Sequence, residues 1–378
     1  MSLIVLSYMQ RHYLDECLNS IFMQDYPSIE LVVCDDCSAD FNPVEVERYI
    51  LKNKPDNIQN VVVFRQPRNV GIVQNAQKGV ELSSGIYFKL HAADDMLLDE
   101  SVLTEMVELM EDTRSGAVSA RSVACMDDGS STEHYYPWNL GIRRSLQHAD
   151  AHEQRMILST MPVGECYHPT ALFWRREAFD TIGGFDRNYH YIEDLPMLLN
   201  MTGTGREIQF TERVTTIYRY GGTLSRGYSG VHREFYSAYY TEMGKMLREL
   251  ALPYVSGSLK KRIRCRYLIQ NIEFRANTLP DWENLSWMRQ LIWRIQHFGF
   301  LVLFWLYHKR TVGIHAERRS PLMIMAASLL MFFFHVEIWP GKQIDRVWAI
   351  LFFAAALWLL LGIIAEASVK LINRILNH

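Results

Sequence analysis

The chain has 378 residues and a formal net charge of −3. That length calls for two or three units, and the near-neutral balance excludes a protein built to grip nucleic acid. Six cysteines without a regular framework, in a chain this long, read as reduced thiols rather than a disulfide scaffold. Cys34 and Cys37 form one C-x-x-C, but no second pair or nearby histidine completes a zinc site. The acidic residues around that pair raise thiol pKa values, which argues against a redox motif. The first residues carry no basic flank and only a short apolar run, so no secretory signal is expected.

Leu3–Leu6 is a short apolar run that predicts a buried strand. Residues 12–24 place Leu14, Cys17, Leu18 and Ile21 at helical spacing, and Asp25-Tyr26-Pro27 ends that helix. Ile29–Cys34 predicts the second strand, running straight into Asp35 and Asp36. A helix over 43–54, a strand over Val61–Phe64 and a helix over 71–83 follow. Ile86–Leu90 predicts the fourth strand, running into Asp94 and Asp95, and residues 99–112 predict an amphipathic helix with Asp99 as its cap. This alternation predicts an α/β fold, with a largely parallel sheet flanked by helices. Ligands bind beyond the carboxyl ends of such strands, where both aspartate pairs sit.

Residues 115–230 are mixed. Glu193-Asp194-Leu195-Pro196 opens a helix with proline in its first turn, and Val214–Arg219 predicts a strand. Residues 232–275 and 285–299 are expected to be helical, and Phe298–Tyr307 is too short to span a membrane but suits its interface. Two apolar runs follow, Pro321–Trp339 and Val347–Ala365. At about 1.5 Å per residue each suffices for a hydrocarbon core about 30 Å thick. The short loop between them predicts a transmembrane helix hairpin. Lys309, Arg310, Arg318 and Arg319 precede it, and Lys370 and Arg374 follow it, so both ends are expected in the cytoplasm. The expected domains are 1–230, a helical juxtamembrane region 231–320, the hairpin 321–366 and a cytoplasmic tail 367–378.

Two adjacent carboxylates at a strand end repel each other unless a cation or donors offset them. Asp94 and Asp95 therefore read either as a divalent-metal site or as an ordinary acidic turn. Asp35, Asp36 and Asp40 read as an acidic capping loop or as hydrogen-bonding partners of a base or ribose. Asp194, at a helix start, is expected to be ionised, which suits a general base as well as a cap.

The segments SLIVLSY, YLDECLNSIFMQDYPSIELVVCDDCSAD, RNVGIVQNAQKGVELSSGIYFKLHAADDMLLDESVL and IGGFDRNYHYIEDLPMLLN resemble the inverting family-2 glycosyltransferases of the GT-A fold. The resemblance covers residues 2–220. It implies that Asp36 reads the nucleobase, that Ser7 and Tyr8 lie against the base, and that Asp94 meets the ribose. It further implies that Asp95 ligates Mg²⁺ or Mn²⁺ at the diphosphate, that Asp194 is the catalytic base, and that Glu193 beside it and His168, in the strand HPTALFWRR, bind the acceptor. Three features depart from the family pattern. Ala92 replaces the first aspartate of Asp-x-Asp-Asp, and Met9 replaces the usual asparagine after Ser-Tyr. The Gln-x-x-Arg-Trp block of processive synthases is missing, which implies transfer of one or a few sugars.

The implied enzyme moves a sugar from a nucleotide diphosphate, with UDP the expected nucleotide, to a hydroxyl of a glycan or lipid-linked acceptor. Nucleic acid is not an expected partner. The expected location is the inner (cytoplasmic) membrane, multi-pass, with the catalytic domain in the cytoplasm. Two other readings stay open: a polyprenyl-phosphate sugar transferase, whose typical Asp-Leu-Gln-Asp-Pro stretch is replaced here by Asp94-Asp95-Met96-Leu97-Leu98, and a non-catalytic sugar-nucleotide-binding scaffold.

Overall fold

A computed structural model of the chain describes residues 1–160, 163–219 and 233–255, with positions 257, 260 and 263. All lie in the first of two units, Met1–Thr278. Among the described residues no helix is long and apolar enough to cross a membrane. The expected hairpin, the helix at 285–299, the interfacial run and the tail lie outside the described residues.

The N-terminal half alternates as its periodicity predicts: β1 (Ser2–Ser7), α1 (Arg11–Phe22), β2 (Ile29–Asp35), α2 (Pro43–Asn53), β3 (Ile58–Arg65), α3 (Ile72–Glu81) and β4 (Tyr87–Ala92). Strand side chains point alternately to the two faces, and both faces of β1 are covered. Leu3 and Val5 join a core with Leu14 and Leu18 of α1, while Ile4 joins another with Val73, Ala76 and Val80 of α3. That is why β1 and β2 read as unbroken apolar runs. Asn42 caps α2 by accepting from Val44 N, with Pro43 at the first helical position.

Next come β5 (Met96–Leu97), α4 (Val102–Thr113), β6 (Ala117–Cys125), β7 (Ser131–Tyr136), α5 (Leu140–His148), α6 (Ala151–Thr160) and the single turn α7 (Val163–Cys166). The order closes with β8 (Leu172–Arg175), α8 (Arg176–Thr181), α9 (Asp194–Gly203), β9 (Ile208–Arg219) and α10 (Arg233–Met246). Asp99 does not cap α4. Its carboxylate accepts from Ser101 N at 3.2 Å and pairs with Arg213 of β9 at 2.7 Å, so it ties the helix entry to the sheet.

Among the described residues the strands form one sheet in the order β3-β2-β1-β4-β8-β6-β9-β5, with β7 on β6. β1 to β4 are parallel. β8 is antiparallel to both β4 and β6, and β9 runs parallel to β6. The sheet is therefore mixed, not largely parallel. The reason is local: β6 and β7 are joined by a turn too short for a crossover, closed by Gly129 N on Met126 O at 2.9 Å. Because β8 reverses once and β6 once more, the carboxyl ends of β4, β6 and β9 share an edge with those of β1 and β2.

Met9, just past β1, has φ +57, a conformation that costs a residue with a Cβ about 1–2 kcal/mol. Its amide donates to Ser38 Oγ at 2.7 Å, which holds it there. Met9→Gly is expected to raise the unfolding free energy by about 0.5–1 kcal/mol, read as a higher denaturant midpoint at unchanged slope.

Candidate active site

The shared edge begins where β1, β2 and β4 end. Asp36 N donates to Ser7 O at 2.9 Å and Ala93 N to Leu6 O at 3.0 Å, so the three strand ends are laced together. The Ser7 hydroxyl is buried without a partner, and Tyr8 beside it is exposed. The two carboxylates after β2 do different things. Asp35 closes its own turn, accepting from Ser38 N at 2.7 Å. Asp36 reaches across to the loop before α3, accepting from Val70 N at 2.7 Å and Gly71 N at 2.9 Å. Burial pushes the Asp36 carboxyl up, and those two amides pull it back.

Gly71 adopts φ +87, and a Cβ there would meet His190 O at 3.1 Å. Only glycine suits that crossing. His190 O also accepts from Val73 N at 3.4 Å. The loop that engages Asp36 is thus seated on the segment leading to Glu193 and Asp194. α10 braces the same segment, with Glu242 accepting from His190 N and Tyr191 N, each at 2.8 Å.

Asp95 follows β4 and is fully buried. Its Oδ1 accepts from Arg219 N at 3.2 Å, and its Oδ2 has no partner. Burial and then the neighbouring Asp94 hold its carboxyl well above the usual range, with Lys89 and Arg219 opposing. Arg219 ends β9 and spans the edge. Its Nε donates to Asp94 O at 3.2 Å, its Nη1 to Asp127 O at 2.7 Å, and its Nη2 pairs with Glu16 of α1. Among the described residues no group of three or more His, Cys, Asp or Glu side chains gathers as a metal cage. The donor set is one of carboxylates, one of which has an orphaned buried oxygen. That suits a hard divalent cation whose remaining ligands come from a diphosphate.

Asp194 opens α9, with Glu193 in the cap position. Its Oδ1 accepts from Leu195 N at 2.7 Å and its Oδ2 from the Tyr167 hydroxyl at 2.9 Å. The carboxyl is harder to ionise than its place at a helix start alone implies. Burial raises the Asp194 pKa despite those two donors, which pull the other way. Glu193 is pushed up to about 8, by burial first and by Asp194 second. Glu193 lacks a comparable pair of donors, so it is the one that takes the proton, and Asp194 holds the charge.

His168 is not in a strand. It precedes a 3-10 turn, Pro169–Ala171, that leads into β8. The buried ring is held through Nδ1 by Ser122 Oγ at 2.8 Å and Thr170 Oγ1 at 2.9 Å. It stacks on Tyr136 at 4.9 Å and meets Tyr218 edge-on at 4.7 Å. Burial and Lys89 lower its pKa to about 3, so it is neutral.

The structure therefore joins the sequence-predicted residues in one continuous set of contacts. Asp36 leads through Gly71 and His190 to the Glu193–Asp194 segment. Asp194 leads through Tyr167 to His168 and Tyr218, and β9 leads on to Arg219, Asp95 and Asp94. Two surface hollows, of about 320 and 340 Å³, lie elsewhere. The second is lined by Gln66, Val70 and Lys78, and neither includes Asp94, Asp95 or Asp194. Cys34 and Cys37 are free, and the Cys34 thiol is pushed up to about 12 by burial first, with the neighbouring Asp35 a lesser cause than the sequence implied.

Among the members of the network not singled out from sequence are Tyr167, Arg219 and, beside them, Lys89. Lys89 is fully buried in β4 over the Phe173 ring at 5.0 Å, and its Nζ donates to Thr170 O. Burial lowers its pKa to about 7. A lone lysine inside the apolar run IYFKL was a readable signal. Tyr167 and Arg219 gave none, because their roles depend on contacts across the sheet.

The family likeness takes in Ser7, Tyr8, Asp36, Asp94, Asp95 and His168 and ends before Glu193, Asp194 and Arg219. Residues 2–183 match the family model "Glycosyl transferase family 2". A chondroitin synthase of Pasteurella multocida (strain Pm70) is 27% identical over 157 residues, which is 41% of this chain but 16% of that protein. The chain thus spans well under two thirds of that relative. Among solved structures, S. aureus TarS in complex with UDP-GlcNAc superposes with a TM-score of 0.51 at 17% identity, covering 80% of each chain. The mannosyltransferase PcManGT of Pyrobaculum calidifontis, in complex with GDP-Man and Mn²⁺, gives 0.50 at 15% identity, covering 98% of this chain and 86% of that one. At those identities the structural likeness speaks to the fold alone, which is GT-A-like. With the family match laid over the strand ends that carry Asp36, Asp94 and Asp95, residues 2–183 form a family-2 glycosyltransferase domain.

Proposed function

We infer that the chain is an inverting transferase that moves one or a few sugars from a nucleotide diphosphate, UDP in the first instance, to a hydroxyl of a glycan or lipid-linked acceptor. The observation that carries this reading is the buried Asp94–Asp95 turn at the strand ends, to which the Tyr167-held Asp194 is connected through the His168–Tyr218 ring contact and Arg219. Ser7, Tyr8, Asp36 and Asp94 bind the nucleoside. Asp95 holds Mg²⁺ or Mn²⁺, which when bound offsets charge on the departing diphosphate. Asp194 Oδ takes the proton of the attacking hydroxyl. Tyr167 orients that carboxylate, while His168 and protonated Glu193 shape the acceptor side. The fixed sheet edge holds donor and acceptor in line, which supplies much of the rate.

The same reading places the enzyme at the inner (cytoplasmic) membrane. The apolar runs at 321–339 and 347–365 anchor it and the catalytic domain faces the cytoplasm. The test is a transfer assay with labelled nucleotide sugars, Mn²⁺ and a membrane lipid extract. Label on a glycan-bearing product supports a hydroxyl acceptor. A product labile to mild acid and free of acceptor sugar would instead mark a polyprenyl-phosphate acceptor.

Tyr167→Phe tests the base directly. Its hydroxyl stabilises the charged form of Asp194, so removing it raises an already raised pKa. The acid limb of the rate profile is expected to move to higher pH, with about a tenfold loss at neutral pH. An unmoved limb would take Asp194 out of the base role.

A further inference from the structure

Against the turn that leads into Tyr167 lies an aromatic surface that the catalytic assignments leave unused. β7 ends at Tyr136, and two residues on Trp138 stands 59% exposed. Trp138 N donates to Gly164 O at 3.3 Å. A Cβ on Gly164 would lie 3.8 Å from Trp138 Nε1 and 4.0 Å from Tyr136 Cδ1, so both rings flank bare backbone. Gly164 belongs to α7, the turn that runs directly into Tyr167 and so to Asp194. The Tyr136 ring is fixed from behind by His168 and meets Tyr218 edge-on at 6.1 Å. Beside it, Asn139 Nδ2 donates to Glu165 Oε2 at 2.9 Å, and Asn139 Oδ1 caps α5 by accepting from Ile142 N.

A tryptophan offers apolar ring faces beside one N–H donor, the combination enriched where a protein meets a partner that is part apolar and part polar. Ring faces interleaved with an amide and a carboxylate do not suit an acyl chain, which offers no hydrogen bonds. They suit a pyranose ring, with an apolar C–H face for the aromatics and equatorial hydroxyls for the polar groups. We propose that Tyr136 and Trp138 form a shelf that binds the terminal sugar ring of a glycoside acceptor, one helical turn from Tyr167. The shelf rests on the transferase reading above, and it commits that reading to an acceptor that already carries a sugar.

The test is saturation-transfer NMR on the full chain with UDP and Mn²⁺, using methyl glucoside, methyl galactoside and methyl N-acetylglucosaminide in both anomers. At least one is expected to bind. Trp138→Ala should weaken that binding about tenfold or more, and Trp138→Phe should keep most of it. Trp138 is exposed, so truncation does not open the core. Calorimetry of UDP with Mn²⁺ on the same samples reads the donor side separately. If no glycoside binds the wild type, or Trp138→Ala binds as well as wild type, the shelf is refuted while UDP binding still stands. If UDP itself does not bind the wild type, the transferase reading falls and the shelf falls with it.

Discussion

Asp194→Asn is expected to lower the rate of sugar transfer by about 10²–10⁴-fold while leaving the melting temperature unchanged or higher. The rate follows from chemistry: a neutral amide cannot accept the proton of an attacking hydroxyl. The stability follows from the sign of the pKa shift. Burial raises the Asp194 pKa above its ordinary value, so the folded state prefers the neutral carboxyl. At neutral pH the charged form therefore costs stability, and the amide removes that cost. Asparagine Oδ1 still accepts from Tyr167 or Leu195, so the helix entry keeps its geometry. A variant that lost activity and also melted early would instead report a structural role. The same shift sets the pH dependence. The acid limb of the wild-type profile should lie above the ordinary carboxylate range, with the rate falling as pH drops through it.

Asp95→Asn is the second large effect. A cation held at a diphosphate is worth several kcal/mol of charge stabilisation, so its loss is expected to cost about 10³-fold in rate. The fold should tolerate the change well. Asp95 is fully buried, its pKa is raised by burial and by Asp94, and its Oδ2 has no partner. By the same sign argument, the amide relieves a cost that the charged side chain imposes at neutral pH. Oδ1 keeps its bond from Arg219 N. The wild type should gain thermal stability on adding Mn²⁺ with UDP, and the variant should not. Full activity in Asp95→Asn would assign the cation to other groups or dispense with it.

The first half of the fold was legible because β1, β2 and β4 are buried strands that read as apolar runs, the last two leading into aspartate pairs. Asp36, Asp94 and Asp95 were placed correctly at one edge by that pattern alone. β6, β7 and β8 were not legible. β7 and β8 each run antiparallel to β6, β7 after a short turn and β8 after three intervening helices, and strands such as Ser131–Tyr136, exposed along most of their length, carry no apolar alternation to read. The sheet's mixed character follows from them. His168 was misplaced into a strand because HPTALFWRR is apolar beyond Pro169, whereas the structure starts β8 at Leu172. The raised pKa of Asp194 was not legible, because a helix N-terminus was visible in the sequence and the burial beside Glu193 was not. Arg219 shows the general limit. Its meaning lies in Glu16, Asp94, Asp95 and Asp127, which come together only when β9 runs beside β6.

The central claim is that the acidic edge binds a nucleoside diphosphate through a divalent cation. Calorimetric titration of UDP into the wild-type chain, once with Mn²⁺ and once with the metal chelated, tests it most directly. The account predicts binding with Mn²⁺ that weakens at least about tenfold on chelation and is equally weak in Asp95→Asn. Equal affinity with and without the metal, or undiminished Mn²⁺-dependent binding in Asp95→Asn, would contradict it.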